Sequence, residues 1–406
     1  MRALFAAPFG ADFWKLWTSS AVTNLGDGIT MVAGPLLVAS ITENPAAVAG
    51  AVFAQQLPWL LFALASGAWA DRLDRRRLVV AVNVMRAAAL GVLAVTVAGG
   101  VASVPLIYAV FFLLGTGETL ADTASSAFVP ALVPPDRRPT ANSLLYANFN
   151  VLNQFAAKPL GAWLFVLAAA VPFGVNAVTF ALSATLVAAI RSVPPPAKRP
   201  PSRLRTDIAE GVRWLAAHRL LRTLALTMAV GNLVFCAAFA VFVLYASQRL
   251  GLTNVGYGIL LLAFAVGGFL GTLCAPALIR HLGATLLLRT GLLIEVALHA
   301  TLALTRQPWI AAAMIVVFGI HTTVWGVVVT TIRQRDVPTA MFARITSVYA
   351  FLELGGAALG SLLGGAIATA YGLPATYWTA AAAMTAVAAA AWRPIATSTS
   401  TREPTT

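Results

Sequence analysis

Charge is scarce in this chain. Asp, Glu, Lys and Arg together make up 10% of its 406 residues, against about 25% in an ordinary soluble domain. A water-soluble protein so poor in charge has too few polar groups to cover its surface. Histidine is rare, at four residues, and cysteine rarer, at two. Cys236 and Cys274 both lie inside apolar runs, so no disulfide framework is implied. The sequence has no P-loop, no G-x-S-x-G serine elbow and no His/Cys/Asp spacing suited to a metal. ATP is therefore excluded as the energy source, and the chain is not read as an enzyme. No cofactor is expected.

What the chain has is long apolar sequence. It is 59% hydrophobic, with a mean hydropathy of +0.83. A helix crossing a bilayer needs about 20 such residues. Windows of that kind fall at 14–41, 46–70, 77–99, 103–131, 140–169 and 173–191, and after a break at 221–247, 254–280, 284–304, 308–333, 342–370 and 373–392. That predicts twelve spans. The net charge of +13 at pH 7 does not point to nucleic acid, because the basic residues sit in short loops between the apolar runs. Of the 27, all but Arg86, Lys158, Arg249 and Arg306 belong to one set of connections and their helix ends. By the positive-inside rule both termini are expected in the cytoplasm, with the protein multi-pass in the inner (plasma) membrane. The first span starts after Asp12 and carries Asp27 in its middle, so a cleavable signal peptide is not expected.

The break at 192–220 divides the chain. "RSVPPPAKRPPSR" suits an extended linker. Leu204, Ile208, Val212 and Leu215 then share one face of a helix expected to lie on the membrane surface. The expected organisation is an N-terminal bundle at 1–191, a linker with its amphipathic helix at 192–220, a C-terminal bundle at 221–393 and a disordered tail at 394–406. The two halves repeat each other at one constant spacing: Gly67 matches Gly271, Gly115 matches Gly319, Pro134 matches Pro338 and Gly161 matches Gly365. Two six-helix halves in the same orientation are the parallel repeats of one large transporter class.

The hairpin after the second span reads "GAWADRLDRRR". It resembles the signature of the major facilitator superfamily, roughly G-x-L-A-D-R-x-G-R-R, although Asp74 stands where that signature has Gly. The stretches at 111–147, 209–226 and 345–368 resemble the bacterial transmembrane secretion effector branch, which includes macrolide and enterobactin exporters. The resemblance implies an all-α polytopic membrane protein of the major facilitator fold, twelve transmembrane helices in two six-helix bundles related by pseudo-two-fold symmetry. It also implies a cytoplasmic gate built from Gly67, Asp71, Arg72, Asp74, Arg75 and Arg76, with Asp71 facing the start of the eleventh helix and Arg344 as a charged partner. An Arg in the fourth helix and a Gly-Pro pair in the fifth, common among drug antiporters of the superfamily, are both missing here.

Five acids lie well within the spans: Asp27, Glu118, Asp122, Glu295 and Glu353. A charge at the bilayer centre costs roughly 2.5–3.5 kcal/mol on the gentler scales, so each needs a partner, water or a proton. Asp27, Glu118 and Lys158 fall at similar depth, and Asp122 stands one turn from Glu118. In the family's arrangement the first, fourth and fifth helices line the N-terminal half of the cavity. Three acids against one base would leave a surplus of negative charge, so at least one acid is expected to hold a proton near neutral pH. Lys158 is expected to pair with these acids, and Arg86 to snorkel or pair locally. In the C-terminal half, Glu295 and His299 read as an i, i+4 hydrogen-bonded pair, and His321 and Glu353 as cavity candidates.

The leading functional reading is a secondary-active efflux transporter for amphipathic small molecules, drugs or secondary metabolites. It would work by proton antiport with alternating access, with the proton gradient as energy source. A siderophore exporter is the alternative, with Lys158 meeting an anionic ligand. A non-transporting membrane sensor of the same fold is the third reading. The partners expected are the small-molecule substrate and the lipid bilayer, with no nucleic acid, and the protein is expected to be a monomer.

Overall fold

The computed structural model describes residues 9–70, 74–125, 128–191 and 204–400. Among them there is no strand. The helices are α1 (Ala11–Ile41), α2 (Pro45–Ala70), α3 (Arg75–Ala98), α4 (Val104–Ser125), α5 (Arg138–Asn148), α6 (Ala157–Leu167), α7 (Val171–Ala188), α8 (Leu204–Ala217), α9 (Arg219–Ala240), α10 (Asn254–Leu304), α11 (Pro308–Asp336), α12 (Thr339–Tyr371) and α13 (Leu373–Ser400). Nine helices among the described residues are long and apolar enough to cross a membrane. One of these, α10, bends at Gly283, whose φ of 73° and ψ of 159° are not helical. It therefore supplies two crossings, and glycine suits a bend that needs positive φ. The fifth crossing runs through α5 and α6, and α13, rich in alanine, is the last. The architecture is all-α with twelve crossings, as the resemblance to the major facilitator fold implies. Large apolar side chains such as Val95 (72% exposed) and Trp309 (69%) face outward, as lipid-facing positions require.

The chain forms two compact units. The first contains residues up to Glu43, Ala54–Lys198 and Thr253–Leu262. Helix α1 is its interior helix, with Ile29, Val32, Ala33 and Val38 fully buried. Polar pins set its register against α7: Ser19 and Ser183 hydroxyls lie 2.7 Å apart, and Asn176 donates to Thr30 Oγ1 at 2.7 Å. Asn83 of α3 donates to the same Ser183 at 2.9 Å. Between α5 and α6, residues Phe149–Ala156 form a π-helical stretch. Pro159 lacks the N–H that an α-helix would use at that turn, and the Ala157 N–H bonds instead to the Leu152 carbonyl. Local π-helix often marks functional positions. Here it places Asn153 to donate to the Asn24 carbonyl of α1 at 3.1 Å. Gly258, at the start of α10, is also in this unit and sits against Ala162 and the Lys158 carbonyl.

The second unit contains Asn44–Phe53, Arg199–Leu252 and Ala263 onward. Its core is built from Leu221, Leu224, Leu288, Leu292, Ile345, Tyr349 and Met384. Gly356, Gly360 and Gly364 of α12 are four residues apart and fall against the carbonyls of Ala229, Leu233 and Ala237, also four apart on α9. The two backbones touch along this stripe, the close approach that small residues allow in membrane helices. The start of α2 belongs here too: the Ala46 N–H donates to Thr369 Oγ1 at 3.1 Å, and Gly365 makes room for Ala49. The amphipathic helix expected near the linker is α8, whose Leu215 is buried in the core while Val212 is half exposed. One expectation changes. Helix α13 continues through Pro394 to Ser400, past the point where a disordered tail was expected, because Ile395 is fully buried in the core and anchors the extension. The Pro-rich linker at 192–203 and residues 401–406 lie outside the described residues.

The glycine stripe gives a test. Gly360→Val would put a side chain onto the Leu233 carbonyl, and the overpacking should cost about 1–3 kcal/mol. Thermal unfolding in detergent should show a lower midpoint for this variant, whereas Gly326→Val, at a position with open space around it, should unfold like the parent.

Candidate functional site

Asp27 sits midway along α1 between two glycines. Gly26 leaves room for Asn176 and Thr179 of α7, and Gly28 for Asn153 and Ala157. Neighbouring helices thus close around this turn. Arg86 approaches from α3: its Nη2 is 3.2 Å from Asp27 Oδ1, and its guanidinium carbon lies 3.9 Å from the centroid of the Phe180 ring on α7. Gly117 of α4 makes the fit possible, since a Cβ there would come within 2.7 Å of Arg86 Cδ. The arginine side chain is 5% exposed and that of Asp27 33%. The base is therefore inside the bundle, and the acid opens onto a cavity.

That cavity has a volume of about 350 Å³ and lies within the first unit. Asp27, Arg86, Glu118 and Asp122 all line it, with Asn24, Asn83 and Asn153 supplying further polar wall. Glu118 and Asp122 share one face of α4 because they are four residues apart. Trp59 of α2 and Asn176 of α7 lie close to Glu118 and Asp27 respectively. Arg86 acts electrostatically on all three acids. The arrangement is three carboxyls around one buried guanidinium. Arg86 Nε has no hydrogen-bond partner among the described residues, so the cation is under-coordinated as well as outnumbered.

Lys158, expected to pair with these acids, does not line the cavity. It is buried in α6 and its Nζ donates to Gln154 Oε1 at 2.6 Å. Depth along the helix pointed to Lys158 as the partner, and Arg86 was expected only to snorkel or pair locally. The face of the helix decided between them, and the π-helical stretch before α6 brings Gln154 under the lysine. In the second unit, His321 of α11 and Glu353 of α12 line a separate cavity of about 530 Å³. Glu295 joins them there. The expected Glu295–His299 side-chain pair does not form: His299 Nδ1 lies 2.8 Å from the backbone carbonyl of Glu295, and the Glu295 carboxylate turns to His321, 3.6 Å away. Arg333, counted in the sequence only as a topology anchor, also lines this cavity.

The hairpin residues are placed in part. Gly67 belongs to α2, while Asp71 and Arg72 lie outside the described residues. Asp74 caps α3, its Oδ1 accepting from the Arg77 N–H at 3.0 Å. Arg75 begins that helix, and Arg76 donates to the Ala188 carbonyl at the end of α7, where a cation complements the exposed carbonyls. Arg344 pairs with Glu210 of α8 at 2.6 Å. Both members are substantially exposed, so the pair contributes no more than about 0–1 kcal/mol.

Comparison with known proteins agrees with this fold. A family model for transmembrane secretion effectors matches residues 4–402. The chain is 27% identical over 369 residues to the multidrug efflux pump Tap of Mycolicibacterium fortuitum, covering 87% of this chain and 88% of the pump. It is 33% identical over 140 residues to an uncharacterized MFS-type transporter of Mycobacterium tuberculosis, a match to 34% of this chain and 32% of that protein, about a third of its length. Among solved structures, a bacterial homologue of the iron transporter ferroportin in an inward-facing state is similar in fold, with a TM-score of 0.76 at 18% identity, covering 95% of this chain and 98% of that one.

The buried pair predicts coupled energetics. Arg86→Met alone strands Asp27 and should lower stability by about 3–5 kcal/mol, the usual effect of breaking a buried pair. Adding Asp27→Asn should recover part of that loss. A double-mutant cycle read by thermal unfolding should give an interaction energy of about 1–3 kcal/mol, whereas additive single effects would show that the two side chains do not interact.

Proposed function

The chain belongs to the transmembrane secretion effector family of major facilitator transporters, and on that premise we propose that it exports amphipathic small molecules by proton antiport. It is a membrane-embedded transporter and not an enzyme. The likeness to the multidrug efflux pump Tap supports the outward direction and a substrate range of drugs or secondary metabolites.

The observation that carries the reading is the excess of acids in the cavity of the first unit. Asp27 holds Arg86, so the surplus falls on Glu118 and Asp122. Ionised together, the three acids and one base would leave net negative charge in a low-dielectric place. A proton on Glu118, the acid close to Trp59, removes one unit of that charge. Its release toward the cytoplasm restores the charge, and a substrate or a fresh proton from outside can then neutralise it. Two ligands that neutralise the same charge exclude each other, and alternating access turns that exclusion into exchange. The gathering of basic residues in one set of loops supports a reading with both termini in the cytoplasm and the protein in the inner (plasma) membrane, where we take it to act as a monomer with no partner but lipid and substrate. Siderophore export drawn by Lys158 has weaker support, because that ammonium turns to Gln154 inside the bundle.

Reconstitution into proteoliposomes with an imposed pH gradient tests the proposal. A panel of drugs should include compounds whose movement dissipates the gradient. Asp27→Asn and Glu118→Gln should each slow proton-coupled exchange by at least ~10-fold, about 1.4 kcal/mol in the coupled step, with insertion into the membrane unchanged. Parent-like rates in both variants would remove these carboxyls from the coupling mechanism.

A further inference from the structure

The cavity of the second unit has a different chemistry from that of the first. At about 530 Å³ it has the size of sites that hold drug-like molecules. Phe235 of α9, Phe264 of α10 and Phe318 of α11 form a triangle of rings on its wall, with centroids 6.1 Å, 5.5 Å and 5.8 Å apart. Trp325 extends that wall along α11. His321 lies between, its ring 6.1 Å from that of Phe318 and 5.6 Å from that of Trp325. Spacings of three and four residues put Phe318, His321 and Trp325 on one face of the helix.

Glu295 brings a carboxylate to this aromatic wall. Its side chain is 13% exposed, and its Oε2 is buried with no hydrogen-bond partner among the described residues. Its Oε1 lies 3.6 Å from His321 Nε2, which is longer than a hydrogen bond. Glu353, the other acid of the cavity, lines it together with Arg333. Arg333 in turn lies over the rings of Tyr349 and Phe342, at 5.1 Å and 5.9 Å. The lining thus holds two acids and one permanent cation, and Glu295 is the acid whose buried oxygen has no hydrogen-bond partner among the described residues. A buried carboxylate needs a positive partner, and aromatic faces attract cations within about 6 Å.

We propose that this cavity is a binding subsite for a lipophilic organic cation, a bulky ammonium or phosphonium, with Glu295 as counter-ion and Phe235, Phe264, Phe318 and Trp325 as its aromatic wall. The proposal rests on the exporter reading and narrows its substrate class. Charge sets the selectivity: a cation satisfies Glu295 and the ring faces together, and an anion of equal size and greasiness satisfies neither.

Equilibrium binding to the purified full-length protein in detergent tests this, with tetraphenylphosphonium as probe and tetraphenylborate as its counterpart of opposite charge. Isothermal titration calorimetry should show binding of the cation and no competition by the borate. Glu295→Gln should weaken the cation by at least ~10-fold, as loss of a close charge partner does. Glu295→Asp, which keeps the charge, should stay within ~3-fold of the parent, and Phe318→Leu should lose ~3–10-fold through the missing ring face. Undiminished affinity in a folded Glu295→Gln protein, equal binding of the borate, or no cation binding by the parent would each overturn the proposal. If Glu295→Gln does not fold, the Phe318→Leu and borate results decide the matter. The same preparations in pH-gradient vesicles separate the two readings. Glu295-dependent binding without any proton-coupled exchange removes the exporter and leaves the subsite. Proton-coupled efflux of a neutral drug with no cation binding removes the subsite alone.

Discussion

A guanidinium held between a carboxylate and a phenylalanine ring, inside a bundle surrounded by lipid, is the interaction around which the first unit is arranged. Taking two ions out of water carries a penalty of several kcal/mol each even after relaxation. Their mutual attraction offsets it only when geometry is good and the remaining polar atoms are satisfied. Four helices contribute to that geometry here. Helix α1 supplies Asp27 between two glycines, α3 supplies Arg86, α4 supplies the bare backbone of Gly117, and α7 supplies Phe180 and Asn176. The match is incomplete, since one guanidinium faces three acids and its Nε is unpartnered. That incompleteness is what makes the site chemically useful. A fully satisfied ion pair would be inert, whereas an outnumbered cation leaves carboxyls that respond to a proton or a ligand.

Close helix contact is the second constraint. Where glycine meets a neighbouring carbonyl, as along Gly356, Gly360 and Gly364 against α9, the helices are drawn together and the packing is backbone to backbone. Where side chains intervene, as between α9, α10 and α11, a space remains and the rings of Phe235, Phe264 and Phe318 line it. Small residues in one stripe and aromatic residues in another thus divide the second unit into a tight seam and an open wall. The π-helical stretch before α6 does related work in the first unit. Without the Pro159 N–H the backbone shifts register, and Asn153 and Gln154 are re-aimed toward α1 and Lys158.

The two cavities differ in the balance of acid and aromatic surface. The cavity of the first unit is lined by acids and amides, the chemistry that the proposed proton antiport would need. That of the second is lined by rings, two acids and one arginine, with one oxygen of Glu295 lacking a hydrogen-bond partner among the described residues. The proposed export of amphipathic molecules by proton antiport would use both chemistries, with the cargo held by its greasy part and its passage tied to a proton.

The sequence by itself determined the class of protein, the number of crossings, the gathering of basic residues in one set of connections and the family. Each of these depends on sums along the chain, because the transfer of apolar residues into lipid adds up locally and the hairpin "GAWADRLDRRR" is contiguous. It also brought Asp27, Glu118 and Lys158 to similar depth, with Asp122 one turn away, since rise along a helix needs no neighbour to compute. Only the tertiary structure decided which charge answers which. Arg86 rather than Lys158 meets Asp27, Glu295 turns to His321 rather than His299, Arg344 meets Glu210, and Arg333 enters a cavity. Depth is a one-dimensional quantity, but pairing depends on the rotation of each helix about its axis. That rotation is set by glycines, prolines and polar pins on other helices, far away in the chain, so no local spacing records it.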